Sequence, residues 1–224
     1  MVSRYCPHIQ YLRDWTMHPT FVWDDDVRDN GGGHIFSMNI ATWRLMMAQC
    51  FPHLMELKWC VPPDSTPYLE AFASTPKPNL KDLYLDYRTT KPHAQPAHEG
   101  ADAETLGAFF SAIPNLRSFS LVTQRYHFPH LDAVTPHDSL LAAIAQHCPE
   151  IESIRIEVSM GGQLERKVPM ATDAGNHMLA RMPSLRRVSL YPVRVTQVGL
   201  TSLLHTCYVS DLHAIETALE ASSF

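Results

Sequence analysis

Between Ser139 and Val158 the apolar residues change their period. Leu140, Leu141, Ile144 and Cys148 recur at helical spacing and form one stripe, whereas Ile151, Ile154 and Ile156 stand at i, i+3 and i+5, the last two at the two-residue period of a strand. Pro149 separates the two patterns, because proline lacks an amide proton and disfavours helical geometry in the residue before it. The same frame, Pro-x-apolar-x-x-apolar-x-apolar, starts at Pro52 (Leu54, Leu57, Trp59), Pro78 (Leu80, Leu83, Leu85), Pro114 (Leu116, Phe119, Leu121) and Pro183 (Leu185, Val188, Leu190). A copy at Pro7 has Ile9 and Leu12 but Asp14 in the last slot, so the first unit is degenerate. Successive prolines are 45, 26, 36, 35 and 34 residues apart, a period that predicts stacked supersecondary units, each burying its apolar face only against its neighbours.

The connecting arms follow from the same patterning. A helix is expected over Ser37–Cys50, with Ile40, Trp43, Met47 and Cys50 on one face, and a strand around Met55–Trp59. The 26-residue unit is crowded with prolines, so its arm should hold little more than the single turn Tyr68–Phe72. Asp86–Asp102 reads as a surface loop, followed by an amphipathic helix marked by Leu106, Phe109, Phe110 and Ile113, then a strand at Leu116–Val122. Thr135-Pro136-His137-Asp138 has the form of a capping box with proline at the first helical position, which places the next helix start. A short helix is expected over about Asp173–Met182, with Met178, Leu179 and Met182 inward. A further helix carries Val198, Leu200, Leu203, Leu204 and Cys207; after it the strand triplet is missing, and Leu212, Ile215 and Leu219 mark a terminal capping helix.

At Cys6-Pro7, Phe51-Pro52, Ile113-Pro114, Cys148-Pro149 and Met182-Pro183, with the triplets after them, the chain resembles leucine-rich-repeat proteins, specifically the irregular ribonuclease-inhibitor-like repeats of fungal F-box proteins. The resemblance covers roughly Cys6 to Cys207. It implies an α/β solenoid with parallel strands on the concave side and short helices and irregular arms on the convex side. One domain then spans residues 1–224, with about six repeats and residues 208–224 as a C-terminal cap. For function it implies a non-enzymatic protein-interaction module of the kind that recognises substrates for a ubiquitin ligase. The family's F-box is expected to be absent, since the first repeat begins within a few residues of Met1, and Skp1 is therefore not expected as a partner.

Composition narrows the partners. A formal charge of −5 and a pI near 6.2 argue against nucleic acid and anionic membranes. No apolar run approaches the roughly 18 residues of a membrane span, and Met1–Tyr5 has no signal-peptide core. The five cysteines, Cys6, Cys50, Cys60, Cys148 and Cys207, read as buried free thiols, which with the missing secretion signal points to a cytoplasmic or nuclear compartment.

Chemistry-bearing motifs are few. The acidic run Asp24-Asp25-Asp26 with Gly31-Gly32-Gly33 lacks the ligand spacing and closing glutamate of a calcium loop. His93 with His98, and His127 with His130, are the loop histidines that a metal-dependent or other hydrolase would use, the alternative reading; no zinc-type cluster, nucleophile elbow or phosphate loop accompanies them. No catalytic, cofactor or metal residues are assigned. The residues between the strand leucines are more telling, since alternation points them away from the core. They form two columns: Arg13, Lys58, Tyr84, Ser120, Arg155, Ser189; and Tyr11, Glu56, Asp82, Ser118, Ser153, Arg187. Mixed charge with tyrosine and arginine suits a protein partner, so Tyr11, Arg13, Glu56, Lys58, Asp82, Tyr84, Arg155 and Arg187 are the expected partner-binding residues.

Overall fold

Parallel neighbours in chain order need a crossover of a dozen or more residues, and the spacing of the proline-led triplets supplies one each time. The computed structural model describes residues 10–16, 40–49, 53–60, 66–88, 103–125, 138–160, 172–191, 201 and 208–209. Among the described residues seven strands form one sheet: β1 (Tyr11–Thr16), β2 (Glu56–Cys60), β3 (Asp82–Arg88), β4 (Ser118–Arg125), β5 (Ser153–Met160), β6 (Arg187–Tyr191) and β7 (Tyr208–Val209). Their order in the sheet is their order in the chain, and every neighbouring pair is parallel. The described helices are α1 (Ile40–Gln49), α2 (Thr66–Ala73), α3 (Ala103–Ser111), α4 (Asp138–His147) and α5 (Asp173–Leu179), each packed against the next. The expected α/β class with parallel pairing is observed.

The helices cover one face of the sheet. Strand residues of the triplets, from Leu57 and Trp59 through Leu83, Leu85, Phe119, Leu121, Ile154 and Ile156 to Val188 and Leu190, are buried in one cluster with Trp43, Phe72, Phe109, Phe110, Leu141, Ile144 and Leu179 of the helices. Through its first half this core is a run of rings: Trp43–Trp59 at 4.6 Å between centroids, Trp59–Phe72 at 6.2 Å, Phe72–Phe109 at 4.8 Å, Phe109–Phe110 at 5.2 Å and Phe110–Phe119 at 5.4 Å. Tilted and edge-on pairs of this kind contribute about 0.5–1.5 kcal/mol each beyond their buried area.

The repeat proline has a second role besides stopping a helix. It occupies the second position of a β-turn: Leu80 N–H donates to Lys77 O at 3.1 Å, Leu116 to Ile113 at 3.2 Å, Ile151 to Cys148 at 3.2 Å and Leu185 to Met182 at 3.3 Å. Proline's fixed φ is pre-set for that position. The residue before each proline sits under the corner. Cys148 is buried there as a free thiol, with Sγ 3.6 Å from Ile113 O and 3.9 Å from Phe110 O, and burial pushes the thiol up from 9.0 to about 12. In the short unit the place belongs to Lys77, only 2% exposed, whose Nζ donates to Phe72 O and Thr75 O at 2.6 Å each and lies 4.1 Å from the Phe72 ring centroid.

Several elements depart from the sequence-based expectation. Helix α2 is eight residues rather than one turn, because Pro67 stands in its first turn, where a missing amide proton costs nothing. Strand β3 continues through Asp86 to Arg88, residues expected in a loop, because the pairing Asp86↔Val122, Tyr87↔Thr123 and Arg88↔Gln124 is maintained. In β1 the register slips between Leu12 and Trp15, so that Trp15, not Asp14, pairs with Trp59. β1 thus carries one residue more than β2 over this stretch. Tyr208–Val209, where the strand triplet is missing, still pair with Arg187–Val188 as β7. Leu179 and Met182 are buried as expected, but in α5 Gly175 and Asn176 are buried as well, while Met178 is half-buried. The cap explains this phase. Thr172, the N-cap of α5, donates its amide (2.9 Å) and hydroxyl (2.6 Å) to the Asp138 carboxylate of α4, so Asp138 staples two helix starts together instead of closing only its own. The other half of the expected capping box, the aspartate-rich and glycine-rich segment, the histidine pairs, Cys6, Cys50 and Cys207, and residues 210–224 lie outside the described residues.

The staple leaves no room beside Gly175, where an added Cβ would stand 2.5 Å from Asp138 Oδ1 and 2.7 Å from Leu141 Cδ1. Gly175→Ala is expected to lower stability by about 1–3 kcal/mol, the usual range for overpacking, measured by denaturant unfolding. An unchanged midpoint would show that α4 and α5 separate freely.

Burial also moves Lys77 down from 10.5 to about 8. Below pH 8 both folded and unfolded chains carry this proton and its desolvation cost is constant. Between about 8 and 10.5 the unfolded chain keeps a proton that the folded chain has lost, so this group's contribution to stability rises with pH. The stability difference between the wild type and Lys77→Met, in which Cys148 cancels, should therefore grow across that window by up to about 1.4 kcal/mol per pH unit. A difference that is flat with pH would mean the amine is not desolvated as described.

Candidate partner-binding face

The face of the sheet away from the helices is built by register alone. One row crosses all seven strands: Tyr11, Glu56, Asp82, Ser118, Ser153, Arg187 and Tyr208. Two residues further along each strand, a second row holds Lys58, Tyr84, Ser120, Arg155 and Ser189. Tyr11, Asp82, Arg155 and Arg187 are exposed, and Glu56, Lys58 and Tyr84 are half-buried. Seven of the eight expected binding residues thus lie in these rows. Arg13 falls inside the irregular step of β1, so the second row begins at Lys58 rather than at Arg13.

A third row, Cys60, Asp86, Val122, Glu157 and Tyr191, escaped the sequence reading because the strands run past the repeat triplet. It matters to the second row. Glu157 accepts from Arg155 Nε at 2.7 Å and from Nη2 at 2.8 Å, a bidentate pair that holds the guanidinium plane along β5. On the opposite side Lys58 Nζ lies 5.2 Å from the Tyr84 ring centroid, within cation–π range. Asp86 is buried at 4% exposure.

Charge is ordered across the first row. Glu56 and Asp82 are neighbours on β2 and β3, Ser118 and Ser153 follow, and Arg187 stands on β6. Crowding shows in Asp82. Partial burial and the Glu56 carboxylate hold its carboxyl above the usual 3.8, against the opposing pull of Lys81 and Arg117. At the strand entrances Arg117 Nη1 and Glu152 Oε1 are 3.9 Å apart, an exposed pair of small energetic weight.

The arrangement offers fixed charges, two ordered long side chains and small serines between them. Among the described residues no group of three or more His, Cys, Asp or Glu could hold a metal ion, and no helix is long and apolar enough to cross a membrane. No protein-family model matches the chain, and a search of curated proteins finds no match.

Carboxyl NMR titration tests the crowding. Glu56→Gln should move Asp82 to a lower pKa, because a repelling charge is gone, and Arg117→Gln should move it higher. Asp82 indifferent to both would mean that burial alone raises it.

Proposed function

We propose that this chain is an irregular leucine-rich-repeat solenoid, with the parallel strands lining a concave inner side and the helices and arms outside. It works as a non-enzymatic protein-interaction module whose polar sheet face takes the partner. The observation that carries this reading is the parallel register, which gathers Tyr11, Glu56, Lys58, Asp82, Tyr84, Arg155 and Arg187 from five strands into two rows. Rigid strands display such residues without the ordering cost of a loop, and aromatic and arginine side chains are what interface centres favour. The proline corners and strands in chain order support the repeat architecture. Recognition of substrates for a ubiquitin ligase is the family role that fits this reading.

Site-directed photocrosslinking tests it. A photoreactive residue replacing Ser189, on the polar face, should give crosslinked adducts to protein, and Tyr84→Ala with Arg155→Ala should reduce them. The same group replacing Arg44, exposed on α1, should give few. Adducts concentrated on the helix side, or unchanged by the two substitutions, would place binding elsewhere.

A further inference from the structure

Charges on the polar face sort by whether the protein already engages them. Arg155 is held by Glu157 in a bidentate pair, and Lys58 lies against the Tyr84 ring. Neither Glu56 nor Asp86 is without a partner, and Asp86 is buried besides. Two charges remain. Asp82 on β3 and Arg187 on β6 are both exposed, and neither makes an ion pair with a described residue. They are opposite in sign, belong to the same row and stand three strands apart, with the half-buried Ser118 and Ser153 between them.

Each end is reinforced in its own sign. The Glu56 carboxylate adds to partial burial in holding the Asp82 carboxyl above its ordinary value, and Lys81 and Arg117 do not cancel the effect. An incoming cation would relieve that repulsion. At the other end the exposed Arg186 precedes Arg187, and Glu152, the acid at the neighbouring strand entrance, is turned toward Arg117.

We propose that the partner of this face is an extended polypeptide segment that crosses the strands and carries a basic and an acidic residue four positions apart, the base over Asp82 and the acid over Arg187. This inference rests on the reading of the sheet face as a protein-binding surface and names the partner's chemistry. The spacing follows from two repeats. Three strand intervals of about 4.8 Å span about 14 Å, and four residues of extended chain rise about 13–14 Å. Residues four apart in such a segment point to the same side, so both charges face the sheet at once. Either chain direction gives the same match.

The serines explain why the segment is extended and not helical. An extended backbone brings unpaired amide and carbonyl groups, which the Ser118 and Ser153 hydroxyls can serve as acceptors and donors; a helix satisfies its own. Serine is also short, so the segment's backbone can come down toward the sheet between the two charges.

Selection from a library of random dodecamer peptides on the immobilised full chain tests the proposal, with affinities of enriched peptides read by fluorescence anisotropy at low salt. Enriched peptides should share a lysine or arginine four positions from an aspartate or glutamate, in either order. Asp82→Lys should weaken such a peptide about tenfold or more, and replacing the peptide's basic residue by glutamate should restore binding to that variant. Arg187→Glu should act likewise through the peptide's acidic residue, which lysine then replaces. Arg44→Glu, on the exposed side of α1, should change nothing. Added salt should weaken the wild-type complex by screening both pairs. Circular dichroism confirms that each variant is folded. Enriched peptides without that spacing, a charge swap that fails to rescue either variant, or a library that yields no binder overturns the inference. If Ser189 still crosslinks to protein in any of these cases, the binding-face reading survives; if it does not, both fall.

Discussion

One backbone carbonyl ahead of each strand accepts two amide protons from the next. Gln10 O receives Met55 and Glu56 N–H, Met55 O receives Lys81 and Asp82, Lys81 O receives Arg117 and Ser118, Arg117 O receives Glu152 and Ser153, and Glu152 O receives Arg186 and Arg187, all at 2.7–3.1 Å. Both lone pairs of each oxygen are used, so the start of each strand from β2 to β6 is tied at two points to the strand before it. This constraint matters more than any single side chain. A strand that slipped by one residue would turn its entire apolar set to the polar face and its charges into the core. Both the buried triplets and the polar rows are consequences of the tie.

The tie also explains how arms of unequal length are tolerated. A unit 26 residues long and one 36 residues long deliver their strands into the same register, because the proline corner and the entry carbonyl set the start wherever the arm has wandered. The short unit needs one additional device. Its helix α2 ends close to the corner, leaving the Phe72 and Thr75 carbonyls in the interior, and the place held elsewhere by Ile113, Cys148 or Met182 is given to Lys77, whose ammonium can donate to both. Desolvation opposes its charge; the two short hydrogen bonds and the Phe72 ring compensate part of that cost.

What could be read from the chain is what depends on period and on proline. The triplets were legible because alternation and a fixed corner repeat five times intact. Leu179 and Met182 were legible as inward residues, but the burial of Gly175 and Asn176 in α5 was not, since it follows from Asp138 binding Thr172 thirty-four residues away and from a glycine thin enough to let α4 approach. The step in β1 was equally hidden. Asp14 breaks the pattern in sequence, and only the pairing of Trp15 with Trp59 shows that the backbone absorbs one residue there. Lys77 was passed over because a lone lysine normally snorkels to solvent rather than capping a helix from beneath. Asp86 and Glu157 were missed because the strands outrun the triplet that announces them.

Rows that run across strands have a further consequence for recognition. Adjacent members of a row are some 21 to 45 residues apart in the chain, so no single repeat encodes the charge order; it belongs to the stack.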